Sequence, residues 1–241
     1  PVMQLFEGGV FQGLLAEALV NEGRHAPSLG ASHANLVRIL QEEGRSRNLF
    51  GQGIPAAHSA SQGLGHDNYV AAQGTPDIAQ KSAVSWLYVA PHALMLAGVV
   101  DPQLAANSLE QLQTLQKAGA VEPLYHPGIG WLDAVAVQGR AQGKVAPFIL
   151  SLDQGMWALA AAKMLDPSGE GLSKYLHRSS AGEPLRKIIE GQDREFRKAI
   201  ELAEAQEMAK AFREALGLPP LLPEDVNAHV LEQKLQEWDN P

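Results

Sequence analysis

The sequence predicts a mainly helical protein, all-α with at most short strands, on three observations. Apolar residues recur at spacings of three and four, most of these segments carry their own start and stop residues, and the strict alternation of a half-buried strand is nearly absent. Val10–Val20 places Val10, Phe11, Leu14, Leu15 and Leu19 on one helix face. Residues 36–40 repeat the spacing after Ser32, a residue type that caps helices by accepting a backbone N–H. Residues 44–74 are rich in Gly, Ser, His, Asn and Gln without sustained period, and so long a loop in a compact domain reads as a cleft wall. Pro91 opens a helix through Leu96, and Pro102 after Asp101 opens another that ends at Gly119, with Leu104, Leu109, Leu112 and Leu115 inside. A Gly/Pro-rich loop follows over 121–130, then a helix over 151–164. Residues 183–216 form a long, charged, amphipathic helix with Ile188, Phe196, Ile200, Met208 and Phe212 on its apolar side. Pro219-Pro220 stops it, and a last helix from Glu224 to Trp238 turns Val226, Val230, Leu231 and Leu235 inward. Only 134–137 and 144–149 read as strands, and no internal repeat of 20 to 50 residues is visible. The chain divides into a helical body over 1–180 and C-terminal amphipathic helices over 181–241.

Composition narrows the function classes. A chain of 241 residues that is 45% hydrophobic and 19% charged can bury a substantial core. The net charge of −8 disfavours nucleic acid, whose backbone demands clustered Lys and Arg, whereas a neutral sugar meets no such penalty. With no cysteine there is no disulfide, no thiolate nucleophile and no Cys-based metal site. The longest apolar runs, 93–100 and 156–162, fall well short of the roughly 20 residues that cross a bilayer, so no membrane span is expected. The chain starts at Pro1 without Met or a signal peptide while Gln4-Leu5-Phe6-Glu7 already reads as ordered, which suggests a fragment or a processed product.

Phosphate-binding loops ending in Gly-Lys-Ser/Thr, His-Glu-x-x-His pairs and Gly-x-Ser-x-Gly elbows are all missing, and no cofactor is expected. What remains are polar residues at loop-to-helix junctions. Ser151-Leu152-Asp153-Gln154-Gly155-Met156 puts a carboxylate and an amide in the first turn of an apolar helix. A capping box between Ser151 and Gln154 accounts for part of this, with Asp153 answering the helix dipole; Gly155 is unexplained by capping and suggests close approach by another group. Glu7-Gly8-Gly9 lets backbone approach a ligand before a helix begins, or leaves Glu7 as a solvated carboxylate. His92, in the first turn after Pro91, is either a site residue whose protonation the dipole opposes or a packed histidine. No metal site is expected, since the spacings of His33, His58, His66 and Asp67 match no ligand geometry. Among Trp86, Trp131, Trp157, Tyr69 and Tyr125, Trp131 beside Gly130 and Asp133 is the best candidate for a flat sugar platform, and Trp157 reads as core.

Read in order, these pieces resemble the glucoamylase-like (glycoamylase-like) domain family, related to bacterial endo-β-1,2-glucanases and the transglycosylating domain of cyclic β-1,2-glucan synthases. Gly8-Gly9-Val10-Phe11-Gln12 is similar to that family's Gly-rich turn ending in Phe-Glu, and Ser32-His33-Ala34-Asn35 to its Asn-His-Pro segment. Gly53-Ile54-Pro55-Ala56 stands where the family has Gly-Phe-Ser-Pro or Gly-Ile-Ser. Val89-Ala90-Pro91-His92-Ala93 is similar to Val-Thr-Pro-His-Ala, Gly130-Trp131-Leu132-Asp133-Ala134-Val135 to Gly-Phe-Tyr-Asp-Ala-Val, and Asp153-Gln154-Gly155 to the family's Asp-Gln-Gly. The resemblance spans residues 6 to 165, and only the last motif and Pro-His-Ala are individually specific.

It implies a partial or complete (α/α)6 toroid with the sugar cleft at one end, a C-terminal helical extension, and a second chain or preceding domain completing the ring. It also implies a periplasmic or secreted location. The implied site has Asp153 as acid/base residue or sugar-hydroxyl ligand with Glu7 as partner, and Gln12, His33, His92, Trp131, Asp133 and Gln154 on the substrate. Gln12 departs from the family's Glu, and an amide cannot donate and recover a proton. The expected function is therefore a glycoside hydrolase or transglycosylase acting on a β-glucan or related bacterial polysaccharide. The alternative is a catalytically silent glycan-binding or structural subunit of a larger assembly, and the helix over 183–216 can dock a partner in either case.

Overall fold

The computed structural model describes residues 2–3, 5, 7–65, 69–71, 73–80, 88–166 and 168–215. The last helix expected over 224–238, the Pro219-Pro220 stop, His66, Asp67 and Trp86 lie outside them. Contacts divide the chain into two units, Pro1–Gly191 and Gln192–Pro241. The described part is mainly helical, with two small antiparallel sheets.

In the first unit, α1 (Val10–Val20) begins where the periodicity begins and ends on Asn21 in the left-handed region. It buries Val10, Gly13, Leu14, Glu17 and Ala18, so the core-facing stripe is rotated from the expected one and Leu19 is exposed. After the short α2 (Glu22–His25), α3 (Pro27–Ser46) starts at a proline in its first turn. Ser32 is therefore no cap: it lies inside α3, buried, and its Oγ accepts the Met3 N–H at 2.8 Å.

The long loop expected from Gly44 begins after Ser46. It holds two 3-10 turns and is tied down by two buried side chains. His58 donates from Nδ1 to the Tyr88 carbonyl at 2.7 Å, and the Gln73 amide accepts the Tyr88 N–H at 2.8 Å while donating to Ser59 O and Ser61 Oγ. Through these bonds the loop is fastened to β1 (Tyr88–Val89), a strand with no signal in the sequence. β1 pairs antiparallel with β4 (Ala134–Ala136), which pairs with β5 (Val145–Ala146), and β2 (Tyr125–His126) and β3 (Gly130–Trp131) form a separate hairpin.

Every residue of α4 (Pro91–Gly98) is buried, as an eight-residue helix that is apolar almost all round requires. It packs against α1, α5 (Pro102–Lys117) and α6 (Ser151–Leu165) and is the centre of the core. At its end a side chain on Gly98 would strike Met164 and Ala105, so glycine is what lets α4, α5 and α6 meet there. Asp101 caps α5 by accepting the Leu104 N–H at 3.0 Å. α7 (Ser173–Arg178) and the start of α8 (Gly182–Ala215) follow. On α8 Ile189 is buried and Ile188 exposed, one position away from expectation. The described residues of the second unit are the rest of α8, carrying Asp193–Arg197 and Glu195–Lys198 ion pairs at 3.1 Å and an exposed Met208. No helix among the described residues is long and apolar enough to cross a membrane.

Candidate active site at a buried aspartate pair

Three residues far apart in sequence meet at one end of the central helices. His92 is the second residue of α4, Asp153 lies in the first turn of α6, and Asp133 sits between β3 and β4, its own N–H bonded to Phe148 O at 2.9 Å. All three are at most 4% exposed. The His92 Nδ1 lies 3.5 Å from Asp153 Oδ2, and Gln62 donates its backbone N–H to Asp133 Oδ2 at 2.6 Å.

Among the described residues no lysine or arginine pairs with either aspartate. Burial pushes the Asp153 carboxyl up to about 8, and the hydrogen-bonding contact and negative charge of Asp133 add to the rise. Burial raises Asp133 as well, against the opposing pull of its bonds to Asp153 and Gln62. Two carboxyls in contact in a dry site cannot both ionise readily, so near neutral pH the pair holds a proton between them. Burial lowers His92 to about 4, which leaves its imidazole neutral beside them.

A pocket of about 190 Å³, lined by Glu7, Phe11, Gln12, Ser59, Tyr69 and Gln73 among others, is linked to the pair electrostatically through Tyr69. Ser59 lines this pocket and Gln62, three residues on, holds Asp133. Gly8, at φ +74°, and Gly74 cross here so closely that a methyl on either would overlap the other segment's backbone. The crossing carries Glu7 to the rim. Gln12 grips it twice, accepting the Glu7 N–H at 2.9 Å and donating to Glu7 Oε2 at 3.0 Å. The Gln12 amide thus orients the carboxylate of Glu7.

Tyr69 was only one of several aromatic candidates in the sequence, yet it is the exposed ring at this site, 54% accessible. Burial of part of the side chain raises its phenol, and Asp153, Asp133 and Glu7, in that order, raise it further. All three carboxylates are therefore within electrostatic reach of one hydroxyl.

The remaining expected site residues fall elsewhere or serve the frame. Trp131 is 7% exposed and packs at 5.1 Å against Tyr125, so its face is not open as a platform. Gln154 donates to the Trp131 carbonyl at 3.1 Å, and no side chain caps α6, whose cap residue is Leu150; the capping-box explanation of Ser151 and Gln154 therefore fails. A methyl on Gly155 would meet no described atom, so no group among the described residues explains that glycine.

His33 is buried 3.3 Å from Glu17 Oε2 and 3.5 Å from Glu22 Oε2, in a cluster with Lys163. Lys163 is nearly three turns after Asp153 on α6, about 15 Å along the helix axis. His33 belongs to that structural cluster and not to the aspartate pair, and His58 is likewise spent on Tyr88. No family model matches the chain, and no curated protein matches it either.

Proposed function

We propose that this chain is a glycoside hydrolase or transglycosylase acting on a β-glucan or related bacterial polysaccharide. The observation that carries the reading is Asp153, a carboxyl whose hold on its proton is raised first by burial and then by Asp133, within electrostatic reach of the exposed Tyr69 on a pocket wall. A general acid for glycoside cleavage needs that raised affinity for its proton. One oxygen of Asp133 lies within 4.8 Å of one oxygen of Asp153, closer than the roughly 5 Å that separates the carboxyls of retaining enzymes or the roughly 6.5 to 9.5 Å of inverting ones. They act as one acid, and Glu7 is the second carboxylate.

On this reading Asp153 gives its proton to the glycosidic oxygen as the bond to the anomeric carbon breaks. Glu7, aligned by Gln12, either takes a proton from the attacking water or attacks the anomeric carbon itself. Tyr69 offers its ring face to a sugar and its hydroxyl to a sugar oxygen. The resemblance to glucoamylase-like domains supports the same assignment, with α1 and α3 to α6 as part of an (α/α)6 ring that another chain or a preceding domain completes, working in the periplasm or outside the cell.

The test is product release from β-1,2-, β-1,3- and α-linked glucans by the full-length protein and its Asp153→Asn variant. Cleavage of a β-glucan that the variant has lost is the expected result. Sugar binding without cleavage of any glucan would identify a catalytically silent glycan-binding subunit instead.

A further inference from the structure

Two buried carboxylates and an imidazole, with no lysine or arginine paired to them among the described residues, can be neutralised in two ways: by a proton or by a metal ion. His92, Asp133 and Asp153 each offer a ligand atom, and those atoms all lie within 4.8 Å of one another. The His92 Nδ1 to Asp153 Oδ2 distance of 3.5 Å is close to the ligand-to-ligand edge of a tetrahedral site with bonds of roughly 2.0 to 2.2 Å. The atoms a metal would take are the ones left over. His92 Nδ1 and Nε2, Asp133 Oδ1 and Asp153 Oδ2 are buried without a hydrogen-bond partner among the described residues. Buried polar atoms left in that state call for an explanation.

We propose that His92, Asp133 and Asp153 bind one divalent transition-metal ion of the zinc type. One imidazole and two carboxylates form a mixed nitrogen and oxygen set with room for a water, the pattern of open zinc sites. Calcium, which takes six to eight oxygens, and magnesium, which demands a near-octahedral oxygen shell, fit it poorly. The ligands are held in place before the ion arrives, since His92 and Asp153 stand on the packed helices α4 and α6.

The experiment is a calorimetric titration of the full chain with zinc chloride in the absence of glycan, repeated with cobalt(II) and read by its ligand-field absorption. One ion per chain is expected, with binding lost in His92→Ala and in Asp133→Asn and kept in His126→Ala, whose histidine is outside the cluster. Because a variant can fail to fold, the thermal midpoint of the unmodified chain is also measured: it should rise with zinc and return on chelation. No binding of zinc or cobalt by the unmodified chain overturns the site whatever the glucan assay shows, and so does binding that survives both ligand variants. If no glucan is cleaved at all, the glycosidase reading falls and the titration still decides the metal site.

Discussion

Asp153 occupies the first turn of α6, where the helix dipole favours a carboxylate, and it nevertheless holds its proton because burial and Asp133 outweigh that dipole. Glu7 has a different setting, on a pocket wall and gripped by the Gln12 amide. Tyr69 lines that same pocket. On a glucan that the unmodified protein cleaves, Tyr69→Ala is expected to raise KM about fivefold, equivalent to ~1 kcal/mol of ring contact, and to leave kcat nearly unchanged. Steady-state kinetics on the two proteins check this, and an equal loss in kcat would show that the phenol acts in the transition state.

At the level of elements, α1 and α6 are joined far from the site by a buried charge cluster. The Lys163 ammonium donates to Glu17 O, to Glu17 Oε1 and to Asn21 Oδ1, and Gly23 donates its N–H to Glu17 Oε2 at 2.7 Å. Burial alone would raise the Glu17 carboxyl, but His33 and Lys163 outweigh it and hold it down at about 2. The cluster fixes the pitch of α6 against α1, and through α6 the height at which Asp153 enters the site. Lys163→Met leaves Glu17 charged and buried without its partner, and we expect a loss of ~3 kcal/mol in urea unfolding. The Glu17→Gln, Lys163→Met double variant, which removes both charges, should recover a large part of that loss. The same elements show where local signals mislead. Ser32 and Ser151 have the residue type of a cap, yet the helices start at Pro27 and Ser151, and side chains from other segments take up the hydrogen-bonding groups.

For the molecule as a whole, buried titratable groups set how stability follows pH. Burial lowers His58 to about 4 against 6.5 in the unfolded chain. Between those values the unfolded state takes up a proton that the folded state refuses, so stability falls as pH falls through this window. Glu17, at about 2 against 4.5, adds a second loss between those two values. Asp153 runs the other way, because its folded value of about 8 lies above the unfolded 3.8: its contribution is complete below 3.8 and lost as pH rises through 8. Asp153→Asn removes one of the two opposing carboxyls, and its thermal midpoint should fall from pH 6.5 to 4, where His92, also lowered to about 4, acts with His58; a flat profile there would mean that neither histidine is held neutral in the fold. The sequence by itself determined the helical class, the bounds of α1, the starts of α4 at Pro91 and α5 at Pro102, and the candidacy of Asp153, because each is written in neighbours a few residues apart. Only the tertiary structure decided that Asp133 meets Asp153 and His92, that His33 belongs with Glu17, that Trp131 is buried and that Tyr69 is the open ring. Helical period says which face is apolar, whereas which polar groups share one dry volume depends on how α1, α4 and α6 pack across long stretches of chain.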